Sequence, residues 1–321
     1  MSNNMIHQKP ILVSGSHRSG STWVGKMLAL SPSVGYINEP FNLGHRQHHP
    51  GICSAKFDYW FTYITDENES IFYKDIKDTI NFSYKLKKEL EVIKSIKGTG
   101  RMLLDYFNFS RYSLTNARPL VKDPIAIFSA EWLAAKFDMK VVILIRHPAA
   151  FVSSLKVKQW SFPFSDLLEQ QLLMRDHLYP FESEIQEYAQ QEHSIIEQGT
   201  LLWKIVHHLI IKYQEKYQNW LFIRHEDLSL EPVTMFQTLY EKLDLDFSES
   251  ILKQINQYSG SENPLETYQS KAELLAKDSI KRDSRANIKN WQNRLSQSEI
   301  EQIRNKVEDI SKVFYSDIDW E

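Results

Sequence analysis

The stretch Gly15-Ser16-His17-Arg18-Ser19-Gly20-Ser21-Thr22 constrains this chain more than any other. It stands between a short apolar run, Ile11-Leu12-Val13, and a helix-like run that begins at Trp23. A strand, a glycine-bounded loop and a helix in that order curl the backbone so that amides and a helix N-terminus point at an anion. The spacing matches the phosphate-cradling pattern G-x-x-x-x-G-K-[ST], except that Ser21 stands in the lysine position. Arg18 retains a cation three residues earlier. The loop suits an anionic group other than the usual nucleoside triphosphate. A tight strand-to-helix turn with ordinary caps is the plainer alternative.

The rest of the chain alternates strand-like and helix-like segments, the pattern of a parallel α/β sheet. Strands are predicted at 11–14, 34–37, 120–122, 141–146 and 220–224. Helices are predicted at 21–30, 125–137, 148–158, 200–216, 232–243 and 296–314. Val141-Val142-Ile143-Leu144-Ile145 is continuously apolar, as a strand covered on both faces should be. Two stretches, 42–118 and 161–194, interrupt the alternation. Both follow loops of the kind that bind ligands, so they form either an acceptor pocket or plain helical packing. The aromatic run Phe57, Tyr59, Trp60, Phe61 and Tyr63 either stacks on sugar rings or packs as a small helix or strand, and packing is favoured.

At 321 residues, 42% hydrophobic and 25% charged, the chain fits one domain over 1–321. The net charge of -3 offers no argument for a nucleic-acid partner. The single cysteine, Cys53, excludes an intrachain disulfide and suits a reducing compartment. No apolar run approaches the ~18 residues that would span a bilayer, and the first residues are polar. A cytoplasmic protein with no anchor is expected. His45, His48 and His49, with Arg46, lack a cysteine or paired carboxylate to complete a ligand set. They read as a substrate-side loop or an exposed turn, and no metal is expected.

A kinase or ATPase needs an acid at a second strand end to hold magnesium. The strongest strand here ends instead in Arg146-His147-Pro148. A cation at a carboxyl strand end suggests a second anion site. Ser154 follows eight residues on, within the helix that Pro148 opens, and small Ala150 leaves room for a ligand. Arg146 and Ser154 together fit one phosphate.

Four blocks in order then resemble the sulfotransferases that use 3′-phosphoadenosine 5′-phosphosulfate (PAPS). Arg18-Ser19-Gly20-Ser21-Thr22-Trp23 is similar to their 5′-phosphosulfate loop, and Arg146 to Ser154 resembles their 3′-phosphate site. Lys122-Asp123-Pro124 resembles a lysine motif of tyrosylprotein sulfotransferases. Phe222-Ile223-Arg224-His225-Glu226-Asp227-Leu228, with Pro232 after it, resembles a strand-to-helix block in which His225 replaces a tyrosine. The wording Arg-Ser-Gly-Ser, with Glu39-Pro40 downstream, looks closer to carbohydrate and tyrosylprotein enzymes than to phenol and steroid enzymes. The histidine of the latter is absent, because Pro124 stands at its place.

The resemblance implies a three-layer, P-loop-NTPase-like parallel sheet with helical insertions forming the acceptor pocket. It implies PAPS as donor, PAP as product and a hydroxyl acceptor such as a saccharide or glycolipid. Glu39 would be the general base, and Pro40 predicts an extended Glu39 at a strand end. Lys122 would place an ammonium near the sulfuryl and bridging oxygens, and a salt bridge to Asp123 or Glu39 is compatible with that. Arg18, Ser19, Gly20, Ser21, Thr22 and Trp23 would hold the 5′-phosphosulfate. Arg146, Ser154 and, from a basic loop at 281–291, Arg282 or Arg285 would hold the 3′-phosphate. A solvated charge run is the other reading of that loop. A divergent P-loop kinase and a non-catalytic nucleotide-binding protein stand as the alternatives.

Overall fold

The computed structural model describes residues 8–46, 49–260 and 284–321. Five parallel strands form one sheet: β1 (Ile11–Gly15), β2 (Val34–Asn38), β3 (Arg118–Lys122), β4 (Lys140–Ile145) and β5 (Leu221–Arg224). Their order is β2-β3-β1-β4-β5. This is the expected α/β architecture, with every predicted strand present within one or two residues of its ends.

The apolar pattern explains why helices cover both faces. Along β4, Val141, Ile143 and Ile145 join one buried cluster, and Val142 and Leu144 join another. Successive strand residues face opposite ways, so one unbroken apolar run needs two cores. The first core takes side chains from α3 (Pro148–Lys158), α4 (Ile195–Lys216) and α7 (Gln297–Ser311). The second takes them from α1 (Ser21–Leu28) and α6 (Pro232–Lys242). Two further helices matter below: α2 (Ile96–Leu114) and α5 (His225–Leu230).

Two helix predictions need correction. Helix α4 begins at Ile195 rather than at 200, because Ser194 and Glu197 form a reciprocal capping box there. The predicted helix at 125–137 opens as a 3₁₀ segment, Pro124–Ser129, before α-helix Ala130–Phe137. The Asp123 carboxylate accepts the Ile125 amide at 2.9 Å and starts that tighter turn.

The 42–118 insertion contributes mainly to the first core. Phe57 stacks on Phe41 and Phe72, at ring-centroid distances of 4.6 and 5.6 Å. Phe61 meets Phe128 and Phe162 edge-on. Cys53 is buried. Among the described residues, no helix is long and apolar enough to cross a membrane.

Candidate active site

Strand order reverses beside β1, whose neighbours are β3 and β4. Chain connections diverge to the two sides at that point and leave a crevice at the carboxyl ends of the strands. A cleft of about 990 Å³ lies there. Its lining includes Arg18, Gly20, Ser21, Thr22 and Trp23 after β1, and Glu39 after β2. Lys122 ends β3, Arg146 follows β4 and His225 follows β5, and all three line the same cleft. The strands thus carry residues 18 and 225 to one place.

The loop after β1 turns through two left-handed residues, Arg18 (φ 64°) and Gly20 (φ 89°). A β-carbon on Gly20 would lie 2.5 Å from His225 Nδ1, so the backbone approaches α5 as closely as glycine allows. Gly20 is also the N-cap of α1 and offers no side-chain acceptor to the first-turn amides. Those amides remain available to an anion. Ser19 Oγ, Ser16 Oγ and Trp23 Nε1 are buried without a protein partner among the described residues. Buried polar atoms normally have partners. A concave loop with unmet donors fits a phosphate-bearing ligand.

Lys122 brings a second cation beside the loop, whose lysine position holds Ser21. Its side chain is 1% exposed, and its ammonium donates to Thr22 Oγ1 at 3.2 Å and to Glu39 Oε1. Asn42 Nδ2 donates to the other Glu39 oxygen at 2.6 Å. Glu39 has φ 46°, not the extended backbone expected before Pro40. Its amide donates to the Lys122 carbonyl at 2.8 Å and its own carbonyl accepts from Asn42, which hold this costly conformation. Beneath the pair, the Asp123 carboxylate is fully buried and accepts the Phe41 amide at 2.6 Å. Burial and the nearby Glu39 charge push its pKa up to about 7.

Arg146 and Ser154 meet through a third residue. The Arg146 guanidinium donates to the Arg18 carbonyl. Arg18 Nε donates to Ser154 Oγ at 2.8 Å, and its guanidinium lies 5.8 Å from the Trp160 ring centroid. Arg18 therefore ties the first loop to α3. The Trp203 indole N–H donates to the Arg146 carbonyl at 2.8 Å and fixes the turn after β4.

Arg285 is not brought into the cleft. It is exposed, donates to the Leu230 carbonyl at 2.8 Å and pairs with Glu231 at 3.1 Å. Its neighbours Ser284 and Asn287 line the cleft instead. Arg282 lies outside the described residues, as does His48. His49 pairs with buried Glu89 at 2.8 Å. Where the resemblance has a tyrosine, the His225 ring meets Trp23 edge-on at 6.0 Å.

Several lining residues escaped the sequence reading. Lys26 is one; burial and the Lys122 charge lower its pKa. It lies four residues after Thr22, so helical spacing puts both on one face, a signal available in the sequence. Tyr36 and Asn38 alternate on β2, and the Tyr36 hydroxyl donates to Asn38 Oδ1 at 3.2 Å. Arg101, Trp160 and Phe162 come from the two insertions or their edges, where spacing carries no such signal; Trp60 and Phe61, from the aromatic run, also line the cleft. The His17 ring packs on Phe151 at 5.0 Å, and burial with the Arg18 charge pushes its pKa down to about 3. His17 is neutral near pH 7. Among the described residues, no group of three or more His, Cys, Asp or Glu has the arrangement of a metal site.

A family model described as "Sulfotransferase family" matches residues 10–249. No curated protein matches the chain significantly. Similar solved structures include the sulfotransferase domain from the curacin biosynthetic pathway, 15% identical with a TM-score of 0.48, covering 94% of this chain and 97% of that one. Mouse sulfotransferase SULT7A1 complexed with PAP is 11% identical with a TM-score of 0.46, at 97% and 87% coverage. Sulfotransferase STF9 from Mycobacterium avium is 12% identical with a TM-score of 0.44, at 96% and 77% coverage.

Proposed function

We propose, from the premise that the chain belongs to the sulfotransferase family, that it transfers a sulfuryl group from PAPS to an acceptor hydroxyl. PAPS supplies an activated sulfuryl group on a phosphate leaving group. The observation that carries the reading is Lys122, whose ammonium touches both the loop, at Thr22, and the Glu39 carboxylate. One buried cation thereby links the donor end of the cleft to the base.

Placement in one cleft supports the assignments. Ser19, Ser21, Thr22, Trp23 and the Gly20 amide region hold the 5′-phosphosulfate. Arg146 and Ser154 hold the 3′-phosphate, with Arg18 joining the two sites. Glu39 receives the acceptor's hydroxyl proton at a carboxylate oxygen. Lys122, Lys26 and Arg18 balance charge that develops on the sulfuryl and leaving oxygens, a task that arginine and lysine perform without a metal. Trp60, Phe61, Trp160 and Phe162 give the remaining wall flat apolar faces, which suit a saccharide or glycolipid acceptor. A single cysteine, with no disulfide framework in the sequence, suits a reducing, cytoplasmic setting.

Calorimetric titration with PAP, followed by sulfur-labelled PAPS with a panel of hydroxyl acceptors, tests the reading. Tight PAP binding and label transfer are expected. Magnesium-dependent ATP binding without PAP affinity would return the site to phosphoryl transfer. PAP binding with no transfer to any acceptor would leave a nucleotide-binding protein.

A further inference from the structure

Helix α2 has two faces of opposite kinds. Met102 and Phe109 are its buried side chains. At about 100° per residue, Ile96, Leu103, Leu104, Phe107 and Leu114 fall in a stripe roughly 100° wide on the other side. All five are exposed; Ile96 is 93%, Phe107 68% and Leu114 84% accessible. A stripe of that width ordinarily faces a core, and a contiguous exposed one marks an interaction surface.

The charges around the stripe say what it meets. Lys97, Arg101 and Arg111 are exposed on α2 itself, and Lys87, Lys88 and Lys94 are exposed just before it. The acids of this segment do little to offset them. Glu89 is buried against His49, Asp105 lies 3.7 Å from Arg101, and Glu91 is exposed. A cationic patch thus sits on a chain whose net charge is -3. In a twofold pair of copies the same cations would face one another, which disfavours self-association through this surface.

We propose that α2 and the lysines preceding it dock on an anionic lipid surface. The apolar stripe enters the boundary between headgroups and acyl chains, and the lysines and arginines meet lipid phosphates. Arg101 belongs to α2 and also lines the cleft. Docking therefore sets the cleft beside the lipid surface and favours an amphiphilic hydroxyl acceptor. That last step rests on the transferase reading; docking itself does not.

Co-sedimentation of the full chain with vesicles tests the proposal. Vesicles of phosphatidylglycerol mixed with phosphatidylcholine should retain the protein, pure phosphatidylcholine should not, and about 0.5 M salt should weaken retention. L104S/F107S should lower the partition coefficient about tenfold or more, with thermal melting unchanged. K94E/K97E, which alters only exposed charges, should lose a similar factor. Equal partition onto both vesicle types, or none, would overturn the proposal. So would a concentration-dependent dimer that L104S/F107S abolishes, which would make a second copy the occupant. Absent PAP binding would sink the transferase reading and leave vesicle retention unchanged, so the two failures are distinct.

Discussion

Lys122 and Glu39 are joined twice, once through the backbone and once through the side chains. The Glu39 amide donates to the Lys122 carbonyl at 2.8 Å, and the Lys122 ammonium donates to Glu39 Oε1. The two residues sit at the ends of adjacent parallel strands, where Asn38 pairs in register with Lys122. This geometry places a carboxylate and an ammonium side by side at the cleft floor, with neither free to drift.

Glu39→Ala and Lys122→Ala should each retain PAP binding by calorimetry. Each should lower kcat by about 10²–10⁴-fold, the range for losing a positioned proton acceptor or its electrostatic partner. Full transfer rates in both variants would show that the pair is structural.

Gly25→Ala should impair transfer without harming α1 locally. A β-carbon there would lie 2.8 Å from Lys122 Cγ and 3.0 Å from Tyr36 Cε2. Alanine favours the helix by about 1 kcal/mol, and overpacking offsets this by about 1–3 kcal/mol. Melting should change modestly while kcat falls, because Lys122 must move away from Thr22 and Glu39. Unchanged kcat would mean that the exact seat of Lys122 does not matter.

Arg146→Ala should weaken PAP binding by about 1.5–3 kcal/mol, the loss of a charged hydrogen-bonding partner. Arg285→Ala should leave PAP affinity unchanged, since Arg285 already engages Leu230 and Glu231 outside the cleft. Equal losses in the two variants would move the 3′-phosphate toward the C-terminal loop.

Asp123 gives stability a pH dependence of definite sign. Its folded-state pKa, about 7, lies above the ordinary aspartate value of 3.8. A carboxyl shifted upward binds its proton more tightly in the folded state. Its contribution is therefore fully present below pH ~4 and is lost as pH rises through about 7, on the order of a few kcal/mol in total. Melting temperature should fall between about pH 4 and 7 in the native chain and level off above that, and Asp123→Asn should flatten that slope. A slope unaffected by the substitution would place its origin elsewhere.

The strands and the turn after β1 were legible because they are local. A continuous apolar run such as 141–145 specifies a two-faced strand whatever its partners, and the glycines at 15 and 20 specify a tight strand-to-helix turn. The ordered blocks also carried the family resemblance, which the family match over 10–249 bears out. The misreadings were local too. The capping box at Ser194 and Glu197 was present in the sequence, and the left-handed Glu39 overrode a preference set by Pro40.

The sequence by itself determined the sheet, the glycine-bounded loop after β1 and the residue types that line the candidate site. Only the tertiary structure decided who pairs with whom. Arg18 reaches Ser154 across 136 positions and Lys122 reaches Glu39 across 83. Such contacts depend on strand order and on the meeting of loops at one sheet edge, not on spacing along the chain. The same packing turned Arg285 away from the cleft and left the apolar stripe of α2 facing outward. Periodicity specifies that a helix has faces; the partners that cover them are set by the fold.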